Sequence, residues 1–170
     1  MTTSTAPVSR PRPSFARVLL LIVLCALAVR VAYVLSVTRY DHGFYDAVFY
    51  RLEANTVADG RGFVYPLPAS VGGQPAADHP PLTTLVLVPA AELPGDSQLW
   101  MRFTMALLGT AVVALVALLG REVRGARLGL VAGGVAAVYP NLWMNDGLLM
   151  SETLAALTSV AALLLAYRLL

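Results

Sequence analysis

The stretch Asp78-His79-Pro80-Pro81-Leu82 decides how this chain is organised, because a charged pair meets a proline corner there and a run of apolar residues follows. Proline suits the first turn of a helix, where its missing amide hydrogen is not needed, so the two prolines predict a helix over 80–92. That run is about a dozen residues long and contains Pro89, which makes it too short to cross a bilayer. We therefore predict a helix that lies in the membrane interface or is partly inserted.

The composition is that of a membrane protein. Of the 170 residues, 58% are hydrophobic and 13% are charged, and the mean hydropathy is +0.70. Soluble domains are about half apolar and about a quarter charged. The net charge of +2 is too small to indicate a nucleic-acid partner. The single cysteine excludes an internal disulfide and a cysteine-based metal cluster.

Long apolar segments predict about four transmembrane helices. They run over 17–38, 98–120, 127–140 and 148–170. Residues 1–16 are rich in Thr, Ser, Pro and Arg and are expected to form a disordered tail. Arg30 interrupts the first span, so its side chain either snorkels to the polar end or pairs with an acid inside the bundle. We favour snorkelling, because Arg30 stands about two turns from the polar end of the span.

The polar segment 39–97, between the first two spans, contains a second predicted helix over 43–59. Its apolar positions recur at steps of three to five residues, and Arg51, Glu53 and Asn55 fall between them. This pattern is typical of an amphipathic helix that lies in the membrane interface. The apolar positions are Phe44, Val48, Phe49, Leu52 and Val57.

The distribution of arginine predicts the orientation. The tail carries only basic charges, and the loop 121–127 carries three Arg against one Glu, whereas 39–97 carries three Arg against seven acids. The positive-inside rule places the tail and the 121–127 loop in the cytoplasm. We therefore expect an all-α, multi-pass protein of the plasma membrane. Both interfacial helices would lie in the first extracytoplasmic loop, and the turn 140–147 would also be outside.

This topology gathers six ionisable residues on the outer membrane face, where such groups indicate function. An acid held near aromatic residues can act as a general base, and a His or an Arg can hold a phosphate. Structural alternatives stay open: Asp46 on a solvated helix face, His79 as part of a helix cap, and Glu152 as a first-turn acid favoured by the helix dipole. The six residues are Asp46, Asp78, His79, Arg102, Asp146 and Glu152.

Several short motifs, taken in order and with their spacing, resemble the N-terminal part of GT-C fold glycosyltransferases. The nearest branch is the bacterial relatives of protein O-mannosyltransferases and aminoarabinose transferases, and the resemblance covers about residues 15–170. The motifs are the acid Asp46 on an interfacial helix, Gly60-Arg61-Gly62-Phe63, His79-Pro80-Pro81-Leu82, Arg102 at the start of a span, and Ser151-Glu152-Thr153-Leu154.

The resemblance implies an inverting transferase that moves a sugar from a polyprenyl-phosphate donor to a protein, lipid or glycan acceptor outside the cell. The family's catalytic acid in the first outer loop would fall on Asp46, and its second acid on Glu152 or on Asp146. In the aminoarabinose branch the position of His79 is a Lys that contacts the lipid phosphate, whereas this chain has His there, as in the mannosyltransferase branch. From the residues themselves we expect His79 to hold the phosphate, with Arg102 as a second cationic contact. Some members of the family require a divalent metal ion and others do not, and this sequence has no clear ligand set for a metal.

Members of that family have many more spans, and this chain ends inside its fourth apolar segment. We therefore expect residues 17–170 to be the N-terminal part of a longer transferase and not to be catalytically complete. The alternative is a non-catalytic membrane subunit or a transporter-like fragment that packs against a partner, because helices broken at Gly and Pro also occur in transporters. A transporter would place its ionisable groups near the bilayer centre, whereas those predicted here fall at the outer rim.

Overall fold

The structure is a computed structural model that describes residues 14–41, 43, 45–66, 74–76 and 78–170. The described residues form an all-helical chain, as the sequence predicts. The elements are α1 (Phe15–Tyr33), which a π-helical turn (Val34–Thr38) extends, α2 (Tyr45–Ala58), α3 (Pro81–Ala91), α4 (Ser97–Val138), α5 (Pro140–Gly147) and α6 (Glu152–Leu169).

The predicted tail lies mostly outside the described residues. At its end the Ser14 hydroxyl accepts a hydrogen bond from the amide of Arg17 and caps α1. The helix has therefore begun at Phe15, inside the range 1–16 predicted as tail. A serine at this position accepts a hydrogen bond from one of the free amides of the first turn, so the helix can begin directly before the apolar run.

Three helices are long and apolar enough to cross a membrane: Phe15–Thr38, Ser97–Val138 and Glu152–Leu169. The chain therefore fits a multi-pass membrane protein. The predicted count of about four spans is not confirmed, because the second and third predicted spans are both parts of α4.

α4 folds back on itself at a short turn. Arg124 and Gly125 have non-helical backbone angles, and Gly125 has a φ of +84°, which glycine adopts without strain. A Cβ added to Gly133 would lie 2.7 Å from the Cβ of Ala117, so the two arms of α4 pack closely at this point. The arm over 126–138 is about 20 Å long by helix rise, shorter than the hydrocarbon core of about 30 Å.

The two ends of the bundle hold different elements. At one end, the Arg121 guanidinium lies 4.8 Å from the centre of the Phe15 ring. Arg168 at the end of α6 donates a 3.1 Å hydrogen bond to Glu122. The start of α1, the turn of α4 and the end of α6 therefore share that end. The other end holds α2, α3, the start of α4 and the link from α5 to α6, joined by a core cluster that includes Tyr50, Leu87, Met101, Met105 and Leu149.

Arg30 does not snorkel, so that interpretation of the sequence is wrong. Its side chain is fully buried, and its Nε donates a 2.6 Å hydrogen bond to Oδ2 of Asp146. The Thr153 hydroxyl donates to the other carboxylate oxygen of Asp146 at 2.6 Å. Gly109 on α4 leaves room for that carboxylate, since a Cβ there would overlap it. The pairing alternative holds because an unpaired charge inside the bundle would cost several kcal/mol.

The buried face of α2 also differs from the predicted one. Ala47, Tyr50 and Ala54 point into the core, and Glu53, predicted on the polar side, is 2% exposed. The Thr84 hydroxyl on α3 donates a 2.5 Å hydrogen bond to Glu53, which satisfies the buried carboxyl group. The sequence pattern did not predict this buried face because α3 covers α2. The small side chains of Ala47 and Ala54 let the two helices approach. The predicted apolar position Phe44 lies outside the described residues.

Candidate functional site

The His79 ring packs against one face of α2. Asp46, Phe49, Tyr50 and Glu53 are spaced at i, i+3, i+4 and i+7, so they share this face. Nε2 of His79 lies 3.2 Å from Oδ1 of Asp46. The imidazole stacks on Phe49 with ring centres 4.0 Å apart, and it meets Tyr50 edge-on at 5.2 Å. The fold therefore brings Asp46 and His79 together although they stand 33 residues apart.

The proline corner fixes the position of His79 within this pair. Pro80 and Pro81 form the N-terminus of α3, as the sequence predicts, and they restrict the backbone directly after the histidine. The Asp46 side chain is 55% exposed and that of His79 is 23% exposed. His79 Nδ1 is buried and has no hydrogen-bond partner among the described residues. Asp46 is therefore the member that a ligand can reach, and His79 orients it.

A groove of about 210 Å³ lies next to the pair, between the starts of α3 and α6. Pro80 follows His79 directly and forms part of its wall. The groove combines an apolar floor with hydroxyl groups, which suits a ligand with an apolar part and a polar end. Its other lining residues are Leu82, Leu154 and Ala155, with hydroxyls from Thr83, Ser151 and Thr158.

Two helices begin at this groove. Within the described part of the chain, no side chain caps α3 at Pro80 or α6 at Ser151. The amide hydrogens of a first helical turn lack partners inside the helix, and the helix dipole makes that end positive. The starts of both helices therefore favour an anionic group in or beside the groove.

Burial raises the pKa of two residues on the α2 face. Burial raises the pKa of Tyr50, against the opposing effect of hydrogen bonding with Ser151, so the phenol stays a hydrogen-bond donor near neutral pH. Burial also raises the pKa of Glu53, and the hydrogen bond from Thr84 and then the charge of His79 oppose that effect. The face thus carries one exposed acid, Asp46, and one acid whose ionisation is disfavoured.

The fold does not bring all six predicted site residues together. Asp46 and His79 meet, and Asp78 is exposed beside them. Glu152 is exposed at the start of α6 and lines a cavity of about 20 Å³, near the buried Asp146. Both carboxylate oxygens of Asp146 are engaged in hydrogen bonds inside the bundle. The groove is lined by Pro80, which follows His79, but not by Asp46, His79 or Asp146 themselves.

Arg102 also lies away from His79. Its guanidinium is buried at the start of α4 and donates a 2.6 Å hydrogen bond to the carbonyl oxygen of Asp41. The charged residues that act on it are Asp41, Arg51 and Asp96, and neither member of the Asp46–His79 pair is among them. The role of Arg102 as a second phosphate contact stays a prediction.

Sequence reasoning missed Tyr50 and Glu53 as members of the site. Their spacing of four and seven residues from Asp46 places all three on one helix face, so this signal was available once the helix was predicted. The burial of Glu53 had no such signal, because it depends on α3. In the described part of the chain, no group of three or more His, Cys, Asp or Glu side chains is placed to hold a metal ion.

We compared the chain with models of protein families, with curated proteins and with solved structures, and none of them matches it. The resemblance to GT-C glycosyltransferases therefore stays a prediction from short motifs.

Proposed function

We propose that this chain carries the site of a membrane glycosyltransferase that moves a sugar from a polyprenyl-phosphate donor to an extracytoplasmic acceptor. The observation that carries the proposal is the Asp46–His79 pair, 3.2 Å apart, beside a groove at which two helices begin without side-chain caps among the described residues. An exposed base, an apolar groove and two positive helix ends are the features that a lipid-linked phosphosugar requires.

In the proposed reaction, the donor phosphate lies at the starts of α3 and α6, and the hydroxyls of Thr83 and Ser151 donate hydrogen bonds to the donor. Asp46 accepts the proton of an acceptor hydroxyl, whose oxygen attacks the anomeric carbon from the side opposite the phosphate. The bond from that carbon to the phosphate oxygen breaks with its electron pair, so polyprenyl phosphate leaves and the anomeric configuration inverts. Glu152, exposed at the start of α6, is the second acid and contacts the sugar or the acceptor.

The proposed orientation follows from charge and from the two ends of the bundle. The start of α1 and the turn of α4 share one end, and both are rich in arginine. The positive-inside rule assigns such an end to the cytoplasm. In this arrangement the arms of α4 act as separate spans, which gives about four, and α2 and α3 lie in the outer interface with the groove between α3 and α6.

Replacement of Asp46 tests the proposal. Asp46→Asn keeps the shape of the side chain and removes the proton acceptor, so we expect transfer to fall at least 100-fold. The measurement is transfer of a labelled sugar from a polyprenyl-phosphate donor in membranes that contain the complete enzyme. Asp59→Asn is the matched control, because Asp59 is an exposed acid near the end of α2 that pairs only with the exposed Arg61. Near-normal turnover of Asp46→Asn would return Asp46 to the role of a solvated surface acid.

A second candidate is a transporter-like or non-catalytic subunit that packs against a partner. The buried Arg30–Asp146 pair favours it, because charges inside a bundle often mark a transport path. We rank it second because further contacts hold the pair: Arg30 also donates to the carbonyl of Ala26, and Thr153 donates to the remaining carboxylate oxygen of Asp146. Of the polar side-chain atoms of this pair, Nη2 of Arg30 is buried without a partner among the described residues. Such a network suits a fixed link between helices better than a moving charge.

A further inference from the structure

Two arginines meet on the side of α2 that faces away from His79. Arg51 follows Asp46 by five residues, which rotates it by about 140° around the helix. It points toward the first turns of α4, where Gln98 and Arg102 stand four residues apart on one face. The arginines are therefore separated from the Asp46–His79 pair by the body of α2.

Neutral acceptors hold both guanidinium groups in place. Nη1 of Arg51 donates to Oε1 of Gln98 at 2.9 Å, and Nε2 of Gln98 donates to the carbonyl oxygen of Asp41 at 2.7 Å. Nη2 of Arg102 donates to the same carbonyl oxygen at 2.6 Å. Asp41 after the first span, α2 and α4 thus hold the two arginines in one network, and among the described residues no carboxylate forms a salt bridge with either arginine.

Three nitrogens of these guanidinium groups are buried and have no acceptor among the described residues: Nε of Arg51, and Nε and Nη1 of Arg102. Arg102 is 1% exposed. The nearby acids are engaged locally, because Asp41 accepts from the amide of Gly43 and Asp96 caps α4 through the amide of Leu99. Buried guanidinium N–H groups without acceptors are costly, so an acceptor at this place would stabilise the fold.

We propose that Arg51 and Arg102 bind the phosphate of an anionic lipid headgroup at a site separate from the Asp46–His79 pair. A phosphate offers several charged acceptor oxygens, and the planar guanidinium fork matches their geometry. Tyr40 is 81% exposed and Trp100 is 41% exposed, and both stand beside the residues of the network. Exposed aromatic rings of this kind lie at headgroup level in membrane proteins, which places a lipid phosphate within reach.

The test measures lipid binding by the purified full chain in detergent. Phosphatidylglycerol should raise the thermal unfolding temperature, and phosphatidylcholine should raise it less because its headgroup has no net charge. Arg51→Gln should weaken the apparent affinity for phosphatidylglycerol about tenfold, since one charge-assisted contact is lost. Arg39→Gln is the matched control and should change that affinity less than twofold, because Arg39 is exposed and stands two residues from Asp41.

A second variant and a second ligand test the same site. Arg102→Lys keeps the charge but loses the planar fork, so it should also weaken binding; if this variant fails to fold, Arg51→Gln decides. The chain could instead be stabilised by inorganic phosphate and not by phosphatidylglycerol. That result would show that the bound phosphate does not belong to a lipid. Equal lipid effects in wild type and Arg51→Gln, or an equal loss in Arg39→Gln, would overturn the site. The assay contains no sugar donor, so its outcome is independent of the proposed glycosyl transfer.

Discussion

At the scale of single residues, the position of Asp46 relative to His79 decides which group can do chemistry. Nε2 of His79 is turned toward the acid, and its Nδ1 is buried, so the imidazole has no free nitrogen for a substrate. Asp46 keeps more than half of its side chain exposed. The hydrogen-bond contact with His79 orients the Asp46 carboxylate, and Phe49 and Tyr50 hold the imidazole in place. An oriented carboxylate is what a general base needs.

The burial of Glu53 should make the stability of the chain depend on pH. Burial raises its pKa above the ordinary value of 4.5, so between that value and the raised pKa the folded chain holds a proton that the unfolded chain has lost. The free energy of unfolding should therefore fall as the pH rises through this interval and stay level above it. Glu53→Gln should reduce the decline. The measurement is the thermal unfolding temperature in detergent between pH 4 and pH 8.

The control for this prediction is Glu92→Gln, because Glu92 is exposed at the end of α3. That variant should keep the slope of the wild type. A Glu53→Gln chain with an undiminished decline would show that another buried acid causes the pH dependence.

The types of the site residues could be predicted from sequence, but their contacts could not. The proline corner identified His79 and the start of α3, and helix periodicity identified α2. Asp46 and His79 are 33 residues apart in the sequence. Their contact depends on the tertiary fold, which no local sequence pattern shows. The pairing of Arg30 was missed for the same reason, since its partner Asp146 lies 116 residues away.

At the scale of elements, two glycines of α4 allow a direct comparison. A Cβ on Gly133 would come within 2.7 Å of Ala117, whereas a Cβ on the neighbouring Gly134 would meet nothing within 4 Å among the described residues. Gly133→Val should therefore destabilise the chain by roughly 1–3 kcal/mol through overpacking, while Gly134→Val should be close to neutral. Thermal unfolding of both variants in detergent measures the difference, and equal destabilisation would contradict close packing of the arms.

Helix boundaries could be predicted where a local sequence signal marks them. Arginine and glycine over 121–127 indicated the break between two apolar segments, and the structure has a turn there at Arg124 and Gly125. The pattern could not show that helix continues almost to the turn on both sides. The start of α3 was predictable because the two prolines are a strong local signal. The start of α1 was predicted within two residues from the apolar run, and the capping role of Ser14 was missed.

At the scale of the whole molecule, the chain separates a structural end from a candidate active end. Arg121 and Phe15 pack together at the first, and Asp46 with His79 lies beside the groove at the second. The buried Arg30–Asp146 pair joins α1 to α5, and Thr153 extends this link to α6. The start of α6, which forms one wall of the groove, is thereby held against the first span.

Photocrosslinking of a donor analogue tests most directly whether this groove binds a lipid-linked phosphate. A polyprenyl phosphate with a diazirine on the isoprenoid unit next to the phosphate would be irradiated with the purified chain, and the labelled residues mapped by mass spectrometry. We predict labels on Leu82 and Leu154, and at least tenfold less labelling in His79→Ala but not in Arg39→Gln. Labels confined to the neighbourhood of Gln98, or labelling at the groove that His79→Ala leaves unchanged, would contradict a phosphate site at the starts of α3 and α6, beside the Asp46–His79 pair.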